Sequence, residues 1–119
     1  MIAREWRAWA SPAGADRYER YYAEVMVPEL EAIEGFAGAT LLRRDAGEET
    51  ELVSITLFAS LEAVRAFAGP EPDRAVVHAR ARGFLTRFDD AVTHYRVVQA
   101  PATTRMRRLA RPNEPPSSP

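Results

Sequence analysis

Two histidines, His78 and His94, are the side chains here that exchange a proton near neutral pH, because an unperturbed imidazole titrates at about 6.5. Either can act as a general base, with His94 the first candidate, and Arg4 or Arg96 can hold the resulting anion through charge-assisted hydrogen bonds. Such a site needs walls that exclude water, and Trp6, Tyr22, Phe36, Phe58 and Phe84 are rings able to supply them. Ser54 and Thr56 add hydroxyls. Side chains alternate along a strand, so Arg4 and Trp6 share one face, as do Ser54, Thr56 and Phe58, and again His94 and Arg96. All seven are therefore able to meet in one cavity. Each also has a plainer reading: tryptophans as core, His94 bonded to backbone, His78 facing solvent, and the arginines paired with Glu5, Asp89 or Asp90.

The elements that must position these groups follow from periodicity. Alternation predicts a strand over Ile2–Ala10, broken by Ser11-Pro12-Ala13-Gly14, and a helix from Ala15 whose stripe is Tyr18, Tyr22, Met26, Leu30 and Ile33. Pro28 lies inside that helix and predicts a kink near Val27, and Gly35 is expected to cap its end. Strands are expected over Gly38–Arg44 and Leu52–Ala59, joined by the loop Asp45–Thr50. Ser60 reads as the N-cap of a helix over Leu61–Ala68 that Gly69-Pro70 stops. A further helix is expected from Pro72 or Asp73, with Val77, Ala81, Phe84, Leu85 and Phe88 on its apolar side, then a last strand over Ala91–Gln99.

The order strand, helix, strand, strand, helix, strand predicts an α+β, ferredoxin-like βαββαβ domain over residues 1–100, with a four-stranded antiparallel sheet. Residues 101–119, rich in proline, serine and arginine, read as a flexible tail. Right-handed crossovers place both helices on one sheet face. The other face, with Val53, Ile55, Leu57, Tyr95 and Val97, is then a larger apolar patch than a monomer usually exposes, so a homodimer burying on the order of 2,000 Å² is expected.

Composition narrows the remaining classes. A formal net charge of −1 gives no field to gather nucleic acid or an anionic membrane, and those partners are not expected. There is no cysteine, and all 16 basic residues are arginine. No apolar run approaches the roughly 18 residues of a membrane span, and Met1–Trp6 lacks the order of a signal peptide, so a cytoplasmic location is expected. The histidines lack HxH or HxxxH spacing and no GxGxxG element is present, which argues against transition metals and dinucleotides.

From Ile2 to Val98 the chain resembles the antibiotic-biosynthesis-monooxygenase family of the dimeric α+β barrel superfamily. The segments that carry the resemblance are Ala3-Arg4-Glu5-Trp6, Val27-Pro28-Glu29-Leu30 leading to Glu34-Gly35-Phe36, and Phe58-Ala59-Ser60-Leu61-Glu62-Ala63. Ala66-Phe67-Ala68-Gly69, Arg74-Ala75-Val76-Val77, Arg87-Phe88-Asp89 and His94-Tyr95 follow in order. The resemblance implies a small monooxygenase that needs no cofactor, acting on an electron-rich aromatic substrate that passes an electron to O2 once deprotonated. In that reading His94, Arg4 and His78 are the catalytic candidates, while Trp6, Tyr22, Phe36, Ser54, Thr56, Phe58, Phe84 and Arg96 bind substrate. The alternative it implies is a non-catalytic or haem-binding protein on the same scaffold. Many relatives carry tryptophan where Phe58 stands. The haem-degrading branch places a histidine where His78 stands, but it also uses that tryptophan and a first-strand asparagine, and here Glu5-Trp6-Arg7 occupies the region.

Overall fold

The computed structural model describes residues 1–101. The first strand, β1 (Ile2–Ala10), has the bounds its alternation predicts. Helix α1 (Pro12–Tyr21) starts earlier than expected, because Ser11 accepts a hydrogen bond from the Gly14 amide at 3.0 Å and Pro12 takes the first helical position, where no donor is needed. Gly14 passes so close to the Phe84 carbonyl that an added Cβ would sit 2.3 Å from its oxygen.

Pro28 bends the helix in a particular way. Residues Tyr22–Met26 widen into a π-turn, with the Val27 amide bonding back to the Tyr22 carbonyl, before α2 (Val27–Glu31) resumes. The ring of a proline inside a helix clashes with the carbonyl four residues earlier, and the wider turn relieves that contact. The helix ends at Glu31, and Gly35, with φ +91°, turns the chain into β2 (Phe36–Ala46) instead of capping it. Strand β3 (Glu49–Phe58) follows a tight two-residue turn, so both strands run further into the expected loop.

Helix α3 (Leu61–Ala68) has its expected bounds, and Ser60 accepts from the Ala63 amide at 3.2 Å. Ser60→Ala should lower the free energy of unfolding by about 1 kcal/mol, read from a shifted denaturant midpoint at unchanged slope.

The region after Gly69 departs most from expectation. The long helix from Pro72 does not form. Only α4 (Ala79–Arg82) is helical there; Val77, Phe84 and Leu85 still pack on the core, but from loops, and Phe88 lies on a strand. A short strand, β4 (Arg87–Phe88), stands where helix was expected, and the last strand, expected over Ala91–Gln99, is confined to β5 (Thr93–Arg96); both lie on the free edge of β1. Between them the backbone turns away: the Val92 amide bonds to the Asp73 carbonyl and the Ala75 amide to the Asp90 carbonyl, each at 2.8 Å. Groups that would have continued the ladder are spent on residues 73–75.

The sheet order is β2-β3-β1, with β4 and β5 beyond β1, and all pairings are antiparallel. Helices pack on one face only, giving the ferredoxin-like α+β fold. Two buried clusters fill the space beneath them. One gathers Tyr18, Tyr21, Tyr22, Met26 and Leu52, and the other Leu30, Phe58, Ala63 and Val64. On the uncovered face Val53, Ile55 and Leu57 are half-buried, while Leu42 and Tyr95 are 47% and 52% exposed. Residues 102–119, including most of the segment read as a tail, lie outside the described residues.

Candidate functional site

Between the sheet and the helices lies a cavity of about 30 Å³, room for about two waters. Arg4 and Trp6 of β1, with Ser54 and Thr56 of β3, line its floor. The strand register explains this: Arg4 lies opposite Thr56 on one side and His94 on the other, and Trp6 lies opposite Ser54. Tyr18 and Met26 of the first helix and Phe67 of α3 enclose it from above, and Val76 and Val92 close the side.

Arg4 is 4% exposed, and every contact of its guanidinium is internal. Nη1 donates to the Pro72 carbonyl and lies 3.1 Å from His94 Nε2, and Nη2 donates to the Arg74 carbonyl at 2.8 Å. Its charge also sits 5.6 Å from the centre of the Phe67 ring. Burial brings its pKa down to about 10, against the pull of the nearby Asp73 carboxylate.

A guanidinium only donates, so the His94 Nε2 that faces it must be the acceptor, and the ring proton must sit on Nδ1. Nδ1 lies 3.1 Å from Asp73 Oδ1 and donates to it. Asp73, His94 and Arg4 therefore form one chain of hydrogen bonds behind the cavity wall.

The remaining candidates fall into two groups. Tyr22 joins the site through its hydroxyl, 3.0 Å from Ser54 Oγ. Phe58, fully buried, is one layer back, with the rings of Phe36 and Phe67 each centred 6.1 Å away. Phe84 packs edge-on against Tyr21 at 6.2 Å, off the cavity. Arg96 lies exposed on β5. His78 precedes α4 on the surface, its Nε2 3.3 Å from Glu29 Oε2. Thus Arg4, Trp6, Ser54 and Thr56 meet on the wall, Tyr22 and His94 stand one bond behind, and His78, Arg96 and Phe84 are elsewhere.

Sequence reasoning missed Tyr18, Met26, Phe67, Val76, Val92 and Asp73. Tyr18 and Met26 belong to the helical stripe and carried a signal, read there as packing. Asp73 carried none, being 21 positions from His94. Among the described residues no cluster of three or more His, Cys, Asp or Glu side chains is placed to hold a metal ion.

Burial pushes the Tyr18 hydroxyl above the ordinary phenol range, with Tyr22 and Tyr21 adding to the effect, and burial raises Tyr22 as well, against its bond to Ser54. A group whose folded pKa exceeds its unfolded value favours the fold fully below that unfolded value, about 10, and loses this as pH rises. Arg4 acts in the opposite sense over the same range. Burial raises Tyr21 as well, and with three tyrosines against one arginine, stability should fall above about pH 10. A native-state titration followed by tyrosinate absorbance should leave Tyr18 and Tyr22 un-ionised until the protein unfolds; their ionisation in the folded state would contradict the burial.

The profile of the antibiotic biosynthesis monooxygenase family matches residues 1–79. Among solved structures, the N63A mutant of SnoaB, a cofactor-independent oxygenase from Streptomyces nogalater, aligns with 85% of this chain and 96% of its own, at 23% identity and a TM-score of 0.59. The heme-degrader MhuD from Mycobacterium tuberculosis, with two hemes bound in its active site, aligns with 84% of this chain and 98% of its own, at 29% identity and a TM-score of 0.54. No curated protein sequence matches the chain significantly.

Proposed function

Because the chain belongs to the antibiotic biosynthesis monooxygenase family, we propose that it is a small cofactor-independent monooxygenase oxidising an electron-rich aromatic compound, of phenol, anthrone or quinol type, with O2. The observation that carries this reading is the cavity, floored by Arg4, Trp6, Ser54 and Thr56 and walled by Tyr18 and Phe67, with a histidine one hydrogen bond behind it. For an anthrone the balance is one CH2 group plus O2 giving one carbonyl plus water, with all the electrons supplied by the substrate. The protein's part is to remove a proton, steady the anion and keep water out.

His94 takes the proton in this scheme. Its Nε2 holds the lone pair and its Nδ1–H rests on Asp73, so Asp73 stabilises the imidazolium that forms. Arg4 occupies Nε2 in the closed form and must give way first. The cavity is also far below the roughly 300 Å³ of a small-molecule site, so substrate must displace the segment over residues 71–77 that Arg4 holds.

Oxygen uptake with naphthols, anthrones and quinols tests the proposal. His94→Ala should lower turnover about 100-fold or more on the best substrate. No uptake across the panel would overturn it.

We place the active form as a homodimer, supported by the uncovered sheet face with its half-buried Val53, Ile55 and Leu57. No described helix is long and apolar enough to cross a membrane. A cytoplasmic location is part of the proposal.

The 29% identity to a heme-degrader favours a second reading, in which haem is the ligand. The present arrangement does not fit that group, because His78, the ligand this reading calls for, is paired with Glu29 outside the cavity. A hemin titration giving a Soret shift that His78→Ala abolishes would favour this reading over the oxygenase.

A further inference from the structure

Two segments cover the cavity as one piece. Residues 72–75 and 89–92 are joined by the Ala75 amide on the Asp90 carbonyl, the Val92 amide on the Asp73 carbonyl and a β-bridge between Arg74 and Ala91. Val92 belongs to this cover and Val76 follows it directly, and both close the side of the cavity. Strand β1 ties the cover to the sheet. Trp6 donates its indole N–H to the Asp89 carbonyl at 2.8 Å, and Arg4 donates to the Pro72 and Arg74 carbonyls.

One of these ties can be undone by a proton. Arg4 Nη1 serves two acceptors at once, the Pro72 carbonyl and His94 Nε2 at 3.1 Å, so it cannot leave one without shifting on the other. A proton on Nε2 turns that acceptor into a donor facing a donor, and sets a second positive charge beside a residue that is 4% exposed. The same proton strengthens the bond from Nδ1 to Asp73, but the Asp73 side chain is 85% exposed and water screens that gain. The buried repulsion outweighs the exposed attraction. Other charged groups nearby are engaged elsewhere: Glu71 pairs with Arg74, Glu5 with Arg7 on the uncovered face, and His78, just beyond the cover, with Glu29. Arg96 and Asp90 are exposed.

We propose that His94 Nε2 is a proton-operated latch on the cavity cover. Neutral, it accepts from Arg4 and the cover stays shut; protonated, it expels Arg4 and the cover lifts. Arg4 and the proton compete for one lone pair, so acidification favours the open form. The latch works on the empty protein. One consequence rests on the oxygenase reading: a proton that His94 takes from substrate lands on the atom Arg4 needs, so the cover stays unlatched until that proton has gone.

Amide exchange of the full chain without ligand tests this, read by NMR at about pH 7.5 and about pH 5.5, on either side of the range in which histidines titrate. Rates are expressed relative to an unstructured chain at the same pH. Protection at Ala75 and Val92 should fall about 10-fold on acidification, while the centre of β3 keeps its own. His94→Gln supplies an amide oxygen that accepts from Arg4 at any pH, so the fall should disappear. Asp73→Asn keeps an acceptor for Nδ1–H but removes the charge that favours the proton, so opening should move to lower pH. His78→Gln should change nothing. Equal protection at the two pH values in the wild type, or an unaltered fall in His94→Gln, overturns the proposal. So does a fall that vanishes in His78→Gln, which would assign the effect to the other histidine. Oxygen uptake is read separately: a working latch without uptake removes the oxygenase reading alone, and uptake under a cover indifferent to pH removes the latch alone.

Discussion

Arg4→Met is expected to lower the free energy of unfolding by about 3 kcal/mol and to release the segment that covers the cavity. Methionine keeps much of the arginine stem, so what is removed is the donor set together with the charge that lies over the Phe67 ring. Three acceptors lose it: the Pro72 carbonyl, the Arg74 carbonyl and His94 Nε2. Each abandoned buried acceptor costs roughly 1–3 kcal/mol, and the two loop carbonyls can recover part of this by turning to water. Against the loss stands the relief of a desolvated charge, already visible in the depressed pKa of Arg4. The location of the effect is as informative as its size. Hydrogen exchange should quicken at the Ala75 and Val92 amides, whose partners are the Asp90 and Asp73 carbonyls, while the centre of β3 stays protected. Arg4→Lys should recover only a fraction, because one ammonium cannot reproduce a fork spread over three acceptors. Unchanged exchange at Ala75 and Val92 would mean that Arg4 does not hold the segment.

The same contacts explain why one half of this fold is legible in the sequence and the other is not. β1 and α3 have their predicted bounds because local rules agree with tertiary demand there: a strand stopped by Ser11-Pro12 in one, a serine cap and a glycine stop in the other. Strand parity likewise brings Arg4, Trp6, Ser54 and Thr56 onto one wall, since a period of two leaves no choice once the register is set. Beyond Gly69 the outcome is decided by a residue nearly 70 positions away. The Pro72 and Arg74 carbonyls are turned inward to Arg4 instead of along a helix axis, and the predicted helix shrinks to Ala79–Arg82. Val77, Phe84 and Leu85 are apolar because they pack on the core, and their helical spacing misled. His94 was readable as a titratable group on a strand. That its ring is fixed between Arg4 and Asp73 is a property of three segments meeting, which no spacing encodes.

Leu57→Asp is expected to dissociate the proposed dimer, weakening self-association by about 1,000-fold or more while leaving the subunit folded. Leu57 lies on the uncovered face near the end of β3, opposite Ala3 on β1 and Gly38 on β2, with Tyr95 on the far side of Ala3. None of these neighbours carries a positive charge to neutralise a carboxylate. Ile55 would be a poorer site for a basic probe, since Glu5 lies directly opposite and would pair with it. In an isologous contact every substitution appears twice, so two unpaired carboxylates would have to be desolvated together. Within one subunit the change is tolerable, because Leu57 is not among the buried core residues beneath the helices and an aspartate there stays in water. Sedimentation at micromolar concentration reads the outcome: the wild type should run as a dimer and the variant as a folded monomer. Persistence of the dimer in Leu57→Asp would move the contact off this face, and a wild type that is itself monomeric would remove the reason for an uncovered sheet to carry Val53, Ile55 and Leu57 in a row.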